Sequence, residues 1–192
     1  MVQHLSPEHV SILPPILGAS CALPVEAVVD GTVPQPDRVY VIPPNTSLVV
    51  REGQLRLEPP EPRVMRHPID LLFGSLAHDL GARAVAVVMS GTGSDGAAGL
   101  RAVKRAGGFT LVQTPGEAEY DAMPRAALAT GDVDYVVPAA QMPAVIAREV
   151  QRRATEGIPA PTPRPEEDAL EAIARAVGRQ TGHQLSAYKR ST

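Results

Sequence analysis

The residues best equipped for chemistry are one carboxylate and one imidazole. Asp95 lies in Ser90-Gly-Thr-Gly-Ser-Asp-Gly96, between an apolar run, Ala84 to Met89, and a stretch of helical character, Ala97 to Ala106. The run is rich in small and β-branched residues and reads as a strand buried on both faces. The glycines let the backbone turn tightly, and Asp95 is expected to accept free N–H groups of the helix that follows. A carboxylate at the carboxyl end of a buried strand sits where open α/β sheets bind ligands. Paired with a histidine, it forms the acid–base half of a hydrolytic triad, holding the imidazole in one tautomer. His4, just after Val2-Gln3, reads as the end of another strand and is the candidate partner. Taken alone, His4 is a surface histidine near the terminus.

Other chemistries compete for these residues. Gly91-Thr-Gly-Ser-Asp-Gly96 matches G-x-G-x-x-G after a strand and before a helix, the setting of a dinucleotide site. Asp95 argues against it, because a carboxylate there would meet a pyrophosphate at a helix N-terminus. The next strand, Phe109 to Val112, also runs into Gln113-Thr114 and not into an acidic ribose ligand. A nucleophile is harder to find. No G-x-S-x-G elbow occurs, Gly18-Ala-Ser20 is followed by Cys21-Ala22 and reads as a helix end, and Ser90 and Ser94 read as loop polarity. Cys21 reads as a small buried residue. His9, His67, His78 and His183 show no metal-ligand spacing. Asp70 reads as a helix N-terminal charge, and Glu117, Glu119 and Asp121 as a solvated acidic turn.

Behind these residues stands an α/β pattern. From Ala84 the order is strand, helix, strand, helix, strand, helix, which predicts a parallel sheet covered by helices. Pro68 to Leu80 predicts a helix with Ile69, Leu72, Phe73, Leu76 and Leu80 on one face, closed by Gly81. Met142 to Arg153 predicts another, with Val145, Ile146 and Val150 inward. Val25 to Val29 is a short strand candidate. Val39–Ile42, Ser47–Val50 and Leu55–Leu57 predict short strands forming a hairpin excursion at the sheet edge. Prolines alternate from Ile158 to Pro165, the mark of a stiff linker, and Glu166 to Val177 reads as a separate amphipathic helix. The 192 residues carry a net charge of -3, 3% aromatics and one cysteine. That balance argues against a nucleic-acid partner and against a disulfide framework, and fits a reducing cytoplasm. No stretch has the length of a membrane span. No cofactor or metal is expected.

Taken together, Val2-Gln-His-Leu-Ser-Pro7, Asp37-Arg-Val-Tyr-Val-Ile-Pro-Pro44, Pro68-Ile-Asp-Leu-Leu-Phe73, Met89-Ser-Gly-Thr-Gly-Ser-Asp-Gly96 and Met123-Pro-Arg-Ala126 resemble the catalytic domain of the chemotaxis protein-glutamate methylesterases, the CheB type. The resemblance implies a doubly wound, mostly parallel α/β sheet with a small hairpin excursion. It also implies a Ser-His-Asp triad that hydrolyses glutamyl methyl esters on chemoreceptors and deamidates certain receptor glutamines. By motif match, His4 corresponds to the triad histidine and Asp95 to the aspartate. The family's serine lies in a G-A-S-x-G-G turn after a first strand that precedes the histidine; neither occurs here. The expectation is therefore a domain at residues 1–153 that lacks its first strand and is impaired as an esterase, or else a non-catalytic receptor-interaction module. Residues 154–165 are expected to be a Pro-rich linker. Residues 166–192, whose Thr181-Gly-His-Gln-Leu-Ser-Ala-Tyr-Lys-Arg190 resembles the opening of the chemoreceptor methyltransferases, are expected to begin a helical domain of that type, cut short. Implied partners are methylated chemoreceptor helices, with a receiver domain or sensor kinase as regulators, in the cytoplasm.

Overall fold

A computed structural model describes residues 1–2, 12–59 and 67–157. The chain divides into two units, Met1–Pro161 and Thr162–Thr192, and the described residues all belong to the first. His4, the end of the Pro-rich segment and the helix expected from Glu166 lie outside the described residues.

The core of this unit is a parallel sheet of β5 (Val85–Val88), β6 (Phe109–Gln113) and β7 (Tyr135–Val137), in that order. Its crossovers are the helices α3 (Ala97–Arg105) and α4 (Ala122–Leu128), and α5 (Met142–Glu156) follows the last strand. Side chains alternate between the two faces, as strand geometry requires. Ala86, Val88 and Val112 enter one apolar cluster with Leu100, Val103 and Ala127, whereas Val85, Val87, Phe109 and Leu111 enter another with Met142, Val145 and Ile146. Helices cover both faces, so the doubly wound α/β reading holds.

The helix α2 (Pro68–Leu80) ties this sheet to the rest of the unit. Pro68 suits the first turn, and the buried Ile69, Leu72 and Phe73, with Leu76 and Leu80 partly buried beside them, form the expected stripe. α2 packs against α3 on one side and against β3 (Ser47–Arg51) on the other. β3 and β4 (Gln54–Glu58) form an antiparallel hairpin turning at Glu52-Gly53, both with positive φ, as the favoured two-residue turn requires. Side chains of α2 fasten it: Ser75 Oγ accepts Val50 N–H, and the Asp79 carboxylate accepts the N–H groups of Glu52 and Gly53 at 2.7 and 3.0 Å.

Three expectations need correction. Val39–Ile42 is not part of the hairpin: β2 (Val39–Val41) pairs in parallel with β1 (Val25–Ala27). Alternation cannot distinguish those partners, because it records which face is buried and not which neighbour bonds. The last helix continues past Arg153 to Glu156, so the first residues assigned to the linker are helical. Within it, Val150 is exposed, while Met142, Val145 and Glu149 are buried. The short helix α1 (Leu13–Ser20) starts late, with Pro14 and Pro15 in its first turn, as their missing N–H groups dictate. At the N-terminus, Met1 donates to the Tyr40 carbonyl and accepts from Ile42 N–H, bracketing Val41 as a parallel strand would. Val2 packs against the cluster that holds Ile69 and Val88.

Candidate functional site

The loop Ser90–Gly96 leaves β5 at its carboxyl end and is held by the loops beyond β6. Gln113, buried at the end of β6, uses its side-chain oxygen to accept Ser90 N–H at 2.8 Å. Ser90 Oγ accepts Tyr120 N–H at 3.0 Å, and Gly91 exchanges main-chain bonds with Tyr120 and Met123. Gly96 turns the chain into α3 at φ 92°, and a Cβ there would lie 2.9 Å from Ile69 Cγ2, so no other residue fits without displacement.

This framework holds Asp95 only 4% exposed. Its carboxylate reaches a helix other than the one that follows it, a partner the sequence does not suggest. It caps α2: Ile69 N–H donates to Oδ2 at 3.0 Å and Asp70 N–H to Oδ1 at 2.9 Å. The helix's own first turn is served by no side chain of its N-cap, His67. A carboxylate from another element therefore meets the orphan donors and the positive end of the α2 dipole. A charge so buried is stabilised by these bonds.

Two neighbours complete the cluster. Asp70 Oδ1 accepts Gly99 N–H at 2.7 Å. Burial raises the Asp70 carboxyl above its ordinary range; the Gly99 N–H opposes the rise and the Asp95 charge adds to it. His67 Nδ1 lies 3.9 Å from Asp95 Oδ1 and 4.0 Å from Asp70 Oδ2. Spacing in sequence conceals this grouping, because 67, 70 and 95 meet only when α2 and α3 dock. The one signal available is the pairing of a Pro-started helix with an acidic residue in its first turn. The three groups offer donor atoms within 4.8 Å of one another, the raw material of a cation site. Three of their four carboxylate oxygens, however, accept main-chain N–H groups, and the positive end of α2 faces them. The set suits a hydrogen-bonded carboxylate pair better than a metal.

The remaining candidates fall away from Asp95 or serve other ends. A phosphate at the start of α3 would meet Asp70 and Asp95, and Gly99 N–H is already taken, which argues against the dinucleotide reading. Ser20 ends α1, Cys21 is only half-buried, and His78 is exposed on α2. Ser90 braces its loop. Asp121 pairs with Arg125, and Glu117 accepts Ala139 N–H, so that acidic turn has partners of its own.

Comparison with known proteins gives this geometry its context. The family model described as CheB methylesterase matches residues 1–146. A protein-glutamate methylesterase/protein-glutamine glutaminase of Myxococcus xanthus is 38% identical over 156 residues, covering 79% of this chain and 45% of its own length. Its namesake in Geobacillus kaustophilus is 38% identical over 151 residues, covering 76% and 43%. An uncharacterised 104.1 kDa protein of Rhodobacter capsulatus is 46% identical over 119 residues, covering 62% of this chain and 12% of its own. The chain thus spans less than half the length of these curated relatives. The crystal structure of the Thermotoga maritima CheB methylesterase catalytic domain matches with a TM-score of 0.70 at 26% identity, covering 77% of this chain and 80% of that one. By family model, relatives and fold alike, the chain belongs to the CheB methylesterase family.

Proposed function

We propose that this chain carries the histidine–aspartate half of a protein-glutamate methylesterase site, with Asp95 orienting His4. The observation that carries this reading is the buried Asp95 carboxylate, fixed at the carboxyl end of β5 by two main-chain N–H groups. Support for His4 comes from Met1, which runs parallel to β2, and from Val2, which packs on the core containing Ile69. In the reaction, His4 takes the proton of a serine hydroxyl as the oxygen attacks the side-chain carbonyl of a glutamyl methyl ester. The imidazolium, stabilised by Asp95, then protonates the departing methanol; water hydrolyses the acyl-enzyme by the same proton route. The substrates are methylated cytoplasmic helices of chemoreceptors, and a receptor glutamine side chain is the amide counterpart. A receiver domain or sensor kinase regulates the site, in the cytoplasm. The Pro-rich residues 158–165, beyond α5, act as a linker to a methyltransferase-type segment at 166–192.

The serine is the member not identified. Residues 1–192 contain no G-A-S-x-G-G turn ahead of His4, so the chain alone should release methanol at a rate several orders of magnitude below a complete triad. A second reading is a module that contacts receptors without chemistry. Two measurements on the full chain test these readings. The His4 ring titration, followed by NMR, should fall by about one pH unit in Asp95→Asn, because the paired carboxylate favours the imidazolium; an unchanged midpoint would overturn the pairing. Methanol release from a methylated receptor segment should be slight, and vigorous release abolished by His4→Ala would overturn the expected impairment. Such release would also sink the non-catalytic reading.

A further inference from the structure

Asp95 and Asp70 cap each other's helices. Asp95, which precedes α3, accepts two N–H groups of the first turn of α2. Asp70, within that turn, reaches back and accepts Gly99 N–H in the first turn of α3 at 2.7 Å. The short segment Asp95–Gly99 closes the ring. The two helix starts meet closely at Gly99: a Cβ there would lie 2.6 Å from Phe73 Cβ and 2.9 Å from Asp70 Cα.

We propose that Asp70 is a positioning residue for Asp95, using its bond to Gly99 N–H to fix the start of α3 and with it the direction of the Asp95 carboxylate. This rests on the reading of Asp95 as the group that orients His4. A generic helix N-terminal charge does not account for Asp70. The site is half-buried and already holds the Asp95 charge, so a second negative charge is disfavoured there. What the position uses is a directional acceptor at a fixed length, aimed at the N–H groups that start a different helix, Gly99 first among them.

That distinction sets the test, which reads the His4 ring titration by NMR in the full chain, with thermal unfolding to confirm the fold. Asp70→Asn removes the charge and keeps the acceptor, so the His4 midpoint should match the unsubstituted chain. Asp70→Glu keeps the charge and displaces the acceptor by one methylene, so the midpoint should fall by at least half the drop seen in Asp95→Asn. Should Asp70→Glu fail to fold, Asp70→Ser, whose hydroxyl falls short of Gly99, takes its place with the same expectation. A midpoint that falls in Asp70→Asn overturns the proposal and makes Asp70 a charge effect. A midpoint unmoved in both Asp70 variants overturns it while leaving the His4–Asp95 pairing intact. An unmoved midpoint in Asp95→Asn removes the pairing itself, and the role given to Asp70 with it.

Discussion

Burial raises the Asp70 carboxyl above its ordinary range, and of the charges around it Asp95 pushes the same way while His67 pulls back. The sign of the linkage follows. The folded chain holds the Asp70 proton more tightly than the unfolded chain, so stability falls as pH rises from the unfolded value through the raised folded one. Asp70→Asn, which retains the acceptor for Gly99, should therefore be neutral or stabilising at neutral pH, and that advantage should vanish in acid. Urea midpoints at the two pH values check this; a clear loss of stability at pH 7 would mean the negative charge itself holds the helices. Asp95 was visible in the sequence because glycine-rich turns between a strand and a helix are rare enough to stand out. Its bonds to the start of α2 were not, since a carboxylate next to a helix start is naturally assigned to that helix. Asp70 looked ordinary for the same reason: its acceptor role depends on Gly99, 29 positions away, and on the docking of two elements.

At the scale of elements, periodicity located α2, α3 and the three sheet strands because each buries a recognisable face. Pairing was harder to see. β2 joins β1 and not the hairpin, and main-chain ladders leave no trace in the pattern of side chains. The contact between α2 and α3 likewise depends on a missing side chain. Gly99 is in ordinary helical conformation, so its need for glycine is steric and comes from Phe73 and the Asp70 backbone. Backbone cannot yield as a flexible side chain does. Gly99→Ala should separate the helix starts and destabilise the chain by about 1–3 kcal/mol, despite the better helix propensity of alanine. Chemical denaturation measures the loss. A gain in stability would show that the two helices have room between them and would loosen the case for a rigid Asp95.

For the molecule as a whole, the two ends of the sheet have opposite electrostatic character. The carboxyl end gathers the carboxylates of Asp70 and Asp95 at two helix starts, whereas the amino end is locked by a carboxylate with cationic partners. Glu149 of α5 is 4% exposed and accepts from Arg152 at 2.7 and 2.9 Å, from Arg153 at 2.8 Å and from the Tyr135 hydroxyl at 3.1 Å. Arg153 carries the contact onward, donating to the carbonyls of Ala82 and Gly107 and lying 5.0 Å from the Phe109 ring centroid. The Arg152 bonds above all, with Arg153 and Tyr135 outweighing the effect of burial, lower the Glu149 carboxyl to about 2. Here the sign is the reverse of that at Asp70: the unfolded chain binds the proton more tightly, so the stabilisation is complete above the ordinary carboxylate range and is lost as pH falls toward 2. Arg152 is partly exposed, so salt screens its share; Arg153, nearly buried, retains more. Glu149→Gln should therefore be markedly less stable than the unsubstituted chain at pH 7, and the two denaturation midpoints should converge as the pH is lowered to about 3 and below. Midpoints that stay equally far apart in acid would assign the loss to packing and hydrogen-bond geometry, and would remove the Glu149 charge as the lock between α5 and the sheet.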